Sequence, residues 1–198
     1  MEKTAVKKVR AEADMTKGSI IKCIALFTLP LLAGNFFQQL YNMVDTWVIG
    51  QTGDAGAYSA VGSVGPITNI YIGLFSGLAS GAGVVISQYF GANDNEKLSK
   101  TVHTSALITI ILSVVFTAVS LLLTPLMLQL MLRTTEGEIY PAAQTYLLIY
   151  FSGTVFTLVY NMGAAILRAV GDSKRPFYYL AVAGVINTVL DLVFVFNF

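Results

Sequence analysis

Residues 23–49 form a long apolar stretch that carries four polar side chains on one helical face. Its length exceeds the ~20 residues that an α-helix needs to cross a bilayer. Asn35, Gln38, Asn42 and Asp45 recur at spacings of three or four residues, which aligns them along one side of a helix. A carboxylate in hydrocarbon costs roughly 2.5–3.5 kcal/mol. This side is therefore predicted to face other helices or water, and Asp45 is the first functional candidate.

The composition indicates an all-α membrane protein. Of 198 residues, 55% are hydrophobic and only 12% are charged, whereas soluble domains carry about 25% charged residues. The apolar runs predict a polar tail at residues 1–22 followed by five membrane-spanning helices, at about residues 23–49, 58–90, 102–132, 142–170 and 177–198.

Charge predicts the orientation of these helices. Eleven of the twelve lysine and arginine residues lie in the tail, in the 91–101 loop or around the 168–175 turn, which alternate helices place on one side. Such an excess marks the cytoplasmic side. The N-terminus is therefore predicted to be cytoplasmic, in a multi-pass protein of the inner (cytoplasmic) membrane that contacts lipid.

Glycine and proline predict local features. Pro30 lies well inside the first helix, where it is expected to cause a bend. Gly73, Gly77 and Gly81 recur every fourth residue, which predicts a helix-packing face on the second helix. Gly171 predicts the end of the fourth helix, and Pro176 is expected to act as a breaker in the turn that follows.

Only two of the eleven acidic residues fall within the predicted spans, Asp45 and Asp191. A rise of ~1.5 Å per residue places both in the outer half of the bilayer at comparable depth. Asn187 precedes Asp191 by one turn on the same face. Such a group can bind and release a proton, coordinate a hard cation such as sodium, or serve only as a polar network that fixes helix packing.

Other chemistry is not expected. The chain has a single histidine and a single cysteine, and it lacks metal-ligand spacings, a phosphate-binding loop and a Ser/His/Asp set. No enzyme active site, cofactor or nucleic-acid partner is therefore predicted.

Four motifs resemble the prokaryotic multidrug and toxic compound extrusion (MATE) transporters. In chain order they are QQLYNMVDT at 38–46, SQYFGA at 87–92, LRAVGDSKRP at 167–176 and NTVLD at 187–191. The resemblance implies five transmembrane helices of a six-helix N-terminal lobe. It also implies a cation-coupled antiporter, driven by protons or sodium, that exports small organic, often cationic compounds.

The resemblance also implies roles for individual residues. Asp45, Asn187 and Asp191 correspond to the family's proton or sodium site, and Tyr41 corresponds to a residue beside it. Pro30 matches the proline where the first helix bends. Gln38, with Asn42 and Asn161, is expected to line the substrate cavity.

The length of the chain and its two intramembrane acids leave alternative functions open. The chain holds five of about twelve expected helices, so it is expected to be incomplete, with a sixth helix and a C-terminal lobe as its partners in the same protein. One alternative is a flippase for lipid-linked precursors from the same superfamily. A second is a membrane scaffold that does not transport.

Overall fold

A computed structural model describes residues 19–51, 55–132 and 139–197 of the chain. These residues form five helices: α1 (Ile20–Gln51), α2 (Ala55–Gly91), α3 (Asn95–Leu132), α4 (Ile139–Ala169) and α5 (Lys174–Asn197). Each of them is long and apolar enough to cross a membrane. The predicted all-α fold with five spanning helices is confirmed.

Each helix begins earlier than the apolar runs predicted. Four start three residues early, and α3 starts seven residues early, at Asn95. The predicted helix starts were wrong because each helix extends beyond the N-terminal end of its apolar run. Residues 20–22 of the predicted tail and residues 95–101 of the predicted loop are therefore helical, while residues 1–18 lie outside the described residues.

Aspartate side chains explain where α3 and α5 start. The backbone N–H of Lys97 donates to Asp94 Oδ1 at 3.0 Å, and that of Arg175 donates to Asp172 Oδ1 at 3.1 Å. Each carboxylate thus caps amide groups that have no partner inside the helix. The bond from Lys97 also lowers the pKa of the Asp94 carboxyl, because it stabilises the charged form.

The connection from α4 to α5 follows the glycine prediction but not the proline prediction. Gly171 has a positive φ of 88°, and the next amide, that of Asp172, donates back to the Leu167 carbonyl at 2.9 Å. This ends α4 as expected. Pro176, predicted as a breaker, lies instead in the first turn of α5. Amide groups in the first turn have no partner inside the helix, so proline costs no helical hydrogen bond there.

Helices α2, α3 and α4 pack together as a three-helix bundle. Its core combines aliphatic side chains with the ring of Phe151, and its buried residues are Val64, Ile67, Leu128, Ala143, Leu147 and Phe151. The Tyr71 ring lies 4.9 Å from that of Phe151 and 6.4 Å from that of Phe116, centroid to centroid. These rings join all three helices at one level of the bundle.

A line of small hydroxyl residues forms the buried side of α3. Thr109, Ser113, Ser120 and Thr124 are almost completely buried, while apolar neighbours such as Ile111 and Leu122 are exposed. Small side chains let helix backbones approach closely, which is how helices associate in lipid. The larger apolar side chains of α3 are thus left on the side that faces away from the bundle.

One hydrogen bond crosses the bundle at this line. The hydroxyls of Ser120 and Tyr71 are 2.8 Å apart. In a double-mutant cycle, Ser120→Ala and Tyr71→Phe are expected to show a coupling energy of about 0.6 kcal/mol, the average for such bonds in membrane helices. Thermal unfolding in detergent would measure it, and strictly additive effects would contradict it.

Helices α1 and α5 form a second unit, paired with each other. Gly34 of α1 is buried against Phe177 and Leu180 of α5, and the Phe37 and Phe177 rings meet edge to face at 5.8 Å. We call this contact surface the α1–α5 seam. α1 is one helix through Pro30, so the bend expected there stays a prediction.

The predicted glycine packing face on α2 is wrong among the described residues. Gly73, Gly77 and Gly81 are exposed, and an added Cβ at each would meet no atom within 4 Å. The buried side of α2 carries larger residues instead, among them Phe75 and Ile86. Spacing alone does not identify which face of a helix meets a partner, since lipid also accepts small residues.

Candidate functional site

The two acids within the spans approach each other across the α1–α5 seam. The carboxyl groups of Asp45 and Asp191 lie within hydrogen-bonding reach of one another. Ionised carboxylates only accept hydrogen bonds, so a bond between them requires a proton on one of the two. Two negative charges this close also repel each other strongly where water is scarce. The pair therefore has the chemistry to hold a proton or a small cation.

Three buried oxygen atoms around this contact accept no hydrogen bond from the part of the chain that the structure describes. Asp45 Oδ1, Asn187 Oδ1 and Asp191 Oδ2 are buried and make no hydrogen bond to the described residues. A buried acceptor left unsatisfied costs about 1–3 kcal/mol. Carboxylate and amide oxygens are ligands of hard cations. No group of three His, Cys, Asp or Glu occurs in the described part, so an oxygen set here would need Asn187.

Tyr41 lies on α1 close to the acid pair in sequence. It precedes Asp45 by one helical turn, so both project from the same side of α1. Its ring lies against the backbone of α5 at Gly184. The structure thus brings Asp45 and Asp191 together across the seam, with Tyr41 and Asn187 one helical turn before them on α1 and α5.

Two tyrosines of α4, missed by the sequence analysis, extend this group. Tyr146 lies close enough to Asp45 for the two side chains to interact electrostatically. Tyr150 is similarly close to Tyr41, and its ring stacks on that of Tyr146 with centroids 6.2 Å apart. The signal in the sequence was their spacing of four residues, which places both rings on one side of the helix.

The residues predicted to line a substrate cavity lie on α1 and α4. Gln38 and Asn42 are exposed on α1, and the Asn42 amide donates to Gln39 Oε1 at 3.4 Å. Asn161 is half-buried on α4, three turns after Tyr150 and on the same side of that helix. The structure does not bring the three amide groups into hydrogen-bonding contact with one another among the residues it describes.

An apolar groove of about 250 Å³ runs along the α1–α5 seam. Tyr41 and Gly184 form part of its wall, together with Phe37, Val44, Leu180 and Val189. Phe37 and Val44 are seven residues apart, so they share one side of α1. Tyr41 and Gly184 therefore belong both to the seam and to the wall of this groove.

Comparison with known proteins identifies the family. The MatE family profile matches residues 30–193. The chain belongs to the MatE family. It is 34% identical to the probable multidrug resistance protein YpnP of Bacillus subtilis over 182 residues, which is 92% of this chain and 40% of YpnP. The chain thus spans about 40% of the length of the curated relatives it matches.

Solved MATE structures match the fold of this MatE chain. One, described as the outward-facing conformation of a multidrug resistance MATE family transporter of the MOP superfamily, has a TM-score of 0.85 at 26% identity over 97% of this chain and 40% of that one. A MOP superfamily transporter from Pyrococcus furiosus has a TM-score of 0.86 at 26% identity, and the match covers 96% of this chain and 40% of that one. The chain is thus a multi-pass membrane protein with a partial MATE fold.

Proposed function

We propose that the complete protein is a cation-coupled antiporter that exports organic, often cationic compounds across the cytoplasmic membrane. The observation that carries this proposal is the pair of facing carboxyl groups, Asp45 and Asp191, inside membrane spans. Intramembrane acids are costly and characteristically belong to ion pathways. Relatives named as multidrug resistance or multidrug export proteins support the choice of substrate class.

The coupling ion is a proton or sodium, held between α1 and α5. A proton on one carboxyl would let the two groups share a hydrogen bond. A sodium ion would instead use the oxygens of Asp45, Asn187 and Asp191, which lack donors. Tyr41 and Tyr146 offer hydroxyls that would hold the carboxyl groups in orientation. Either ion neutralises the pair, so loading and release change the charge within the spans.

The organic substrate is proposed to bind on the polar side of the α1–α5 pair. Gln38, Asn42 and Asn161 offer amide groups there, and tyrosine rings of α4 offer faces that attract organic cations. The relatives are long enough to hold a sixth helix and a second lobe. These parts would close this space from the other side. Alternating access between such lobes would then move the substrate.

Separate ion gradients would test the proposal. The complete protein is reconstituted into liposomes, and efflux of a fluorescent organic cation is followed under a sodium gradient alone and under a pH gradient alone. One of the two is expected to drive accumulation against the substrate gradient. Transport that responds to neither gradient would contradict ion coupling.

The alternatives make different predictions in the same liposomes. A flippase for lipid-linked precursors would need cationic side chains to hold its anionic headgroup. The charged groups in the middle of the described spans, Asp45 and Asp191, are both acidic, so the exporter is favoured. A scaffold would move neither substrate nor ion.

A further inference from the structure

The glycine of the α1–α5 seam with the least room for a side chain is Gly184. A Cβ atom placed there would lie 2.9 Å from Tyr41 Cδ1 and 3.6 Å from both Cγ and Cε1 of the same ring. Real Cβ atoms essentially never approach a neighbour closer than 3.0 Å. Among the glycines whose surroundings the structure describes, the next nearest contact, at Gly34, is 3.5 Å.

This approach lies on the same helix faces as the acid pair. Asp45 follows Tyr41 by four residues, ~6 Å along α1, and Asp191 follows Gly184 by seven residues, ~10 Å along α5. Both spacings keep the residues on one side of their helix. Because helices are stiff over two turns, the separation at Tyr41 and Gly184 is passed on to the two carboxyl groups.

The ring of Tyr41 has no easy way to avoid an added methyl group. Cδ1 is only two bonds from Cβ, so the clash concerns the root of the side chain. The ring must then change rotamer, which moves its hydroxyl away from Tyr150, or α1 must move away from α5. Either response alters the surroundings of Asp45.

We propose that Gly184 is a positioning residue that sets the separation of Asp45 and Asp191, and with it the affinity for the coupling ion. The inference rests on the proposed function of the acid pair. Gly184 touches neither ion nor substrate. It acts by letting the Tyr41 ring lie directly on the backbone of α5.

Gly184→Ala in the complete protein tests this proposal, with Gly34→Ala as the matched control. Both substitutions add one methyl group to the α1–α5 seam, but at Gly34 it meets Leu180 at an ordinary 3.5 Å. The concentration of driving ion that gives half-maximal efflux is expected to shift at least about fivefold for Gly184→Ala, the lower end of typical coupling between sites. It should stay unchanged for Gly34→Ala.

A measurement independent of transport reports the helix separation. Val44→Cys and Thr188→Cys line the same groove from opposite helices, and their cross-linking rate is compared with and without Gly184→Ala, in a Cys23→Ser background. Slower cross-linking is expected, since disulfides require closely placed Cα atoms. If Gly184→Ala alone fails to reach the membrane, adding Tyr41→Ala removes the clash and should restore both insertion and cross-linking.

The outcomes separate this inference from the function it rests on. If Asp191→Asn abolishes ion-driven efflux but Gly184→Ala matches Gly34→Ala in both measurements, the positioning role is overturned and the proposed function stands. Failure of the double variant to restore cross-linking also overturns it. If Asp45→Asn and Asp191→Asn both leave coupling intact, the proposed function fails and takes the inference with it.

Discussion

Asp45→Asn in the complete protein is expected to abolish ion-driven efflux while leaving membrane insertion intact. Asparagine keeps the size and polarity of the side chain but cannot ionise, so the facing pair loses the charge that binds a proton or cation. Coupling between two binding sites is typically worth about 1–3 kcal/mol, and without it the ion gradient can no longer drive efflux. Efflux in liposomes under the driving gradient measures it.

The matched control for this prediction is Asp172→Asn. It makes the same chemical change at an acid outside the spans, where asparagine caps a helix as well as aspartate does. Efflux and its ion dependence should be close to those of the unchanged protein. An Asp45→Asn protein that accumulates substrate with the original ion dependence would rule out Asp45 as a coupling residue.

Phe151→Ala is expected to give the largest loss of stability in the chain. The Phe151 side chain is 0% exposed, and its ring touches those of Tyr71 and Tyr150. In water-soluble cores such a change costs about 3–5 kcal/mol. Lipid is as apolar as the core, so the cost of exposing apolar surface largely disappears and the loss of packing contacts remains. We therefore expect the free energy of unfolding to fall by roughly 2 kcal/mol.

The same residue type on the opposite side of α4 provides the control for that prediction. Phe156 is 79% exposed, so Phe156→Ala leaves no cavity in the bundle and should change stability little. The midpoints of thermal unfolding in detergent compare the two variants. Equal losses for both would contradict the three-helix bundle as described.

Helix type and number could be predicted from the sequence, whereas helix starts could not. Hydropathy measures where the hydrocarbon begins, but backbone hydrogen bonds continue into water until a cap satisfies them. Asp94 and Asp172 are such caps. Each was visible in the sequence as an acid, yet nothing in the hydropathy pattern distinguished a capping acid from one in an extended loop.

The acids of the candidate site could be predicted from the sequence, whereas the tyrosines of α4 could not. A carboxylate in a span is so costly that Asp45 and Asp191 were conspicuous, and a shared depth suggested that they meet. Tyr146 and Tyr150 carry no such cost, since a tyrosine can face lipid, core or interface. Only the packing of α4 relative to the α1–α5 pair assigns their position. The roles of all these residues stay predictions.

The pairing of α1 with α5 has a consequence for synthesis. Asp45 enters the bilayer with the first span, but its partner Asp191 is made only after three further spans. At about 5–20 residues per second, the delay is on the order of ten seconds. During that time Asp45 lies in the membrane without its partner acid. Ribosome pausing before the fifth span would therefore expose α1 to membrane quality control.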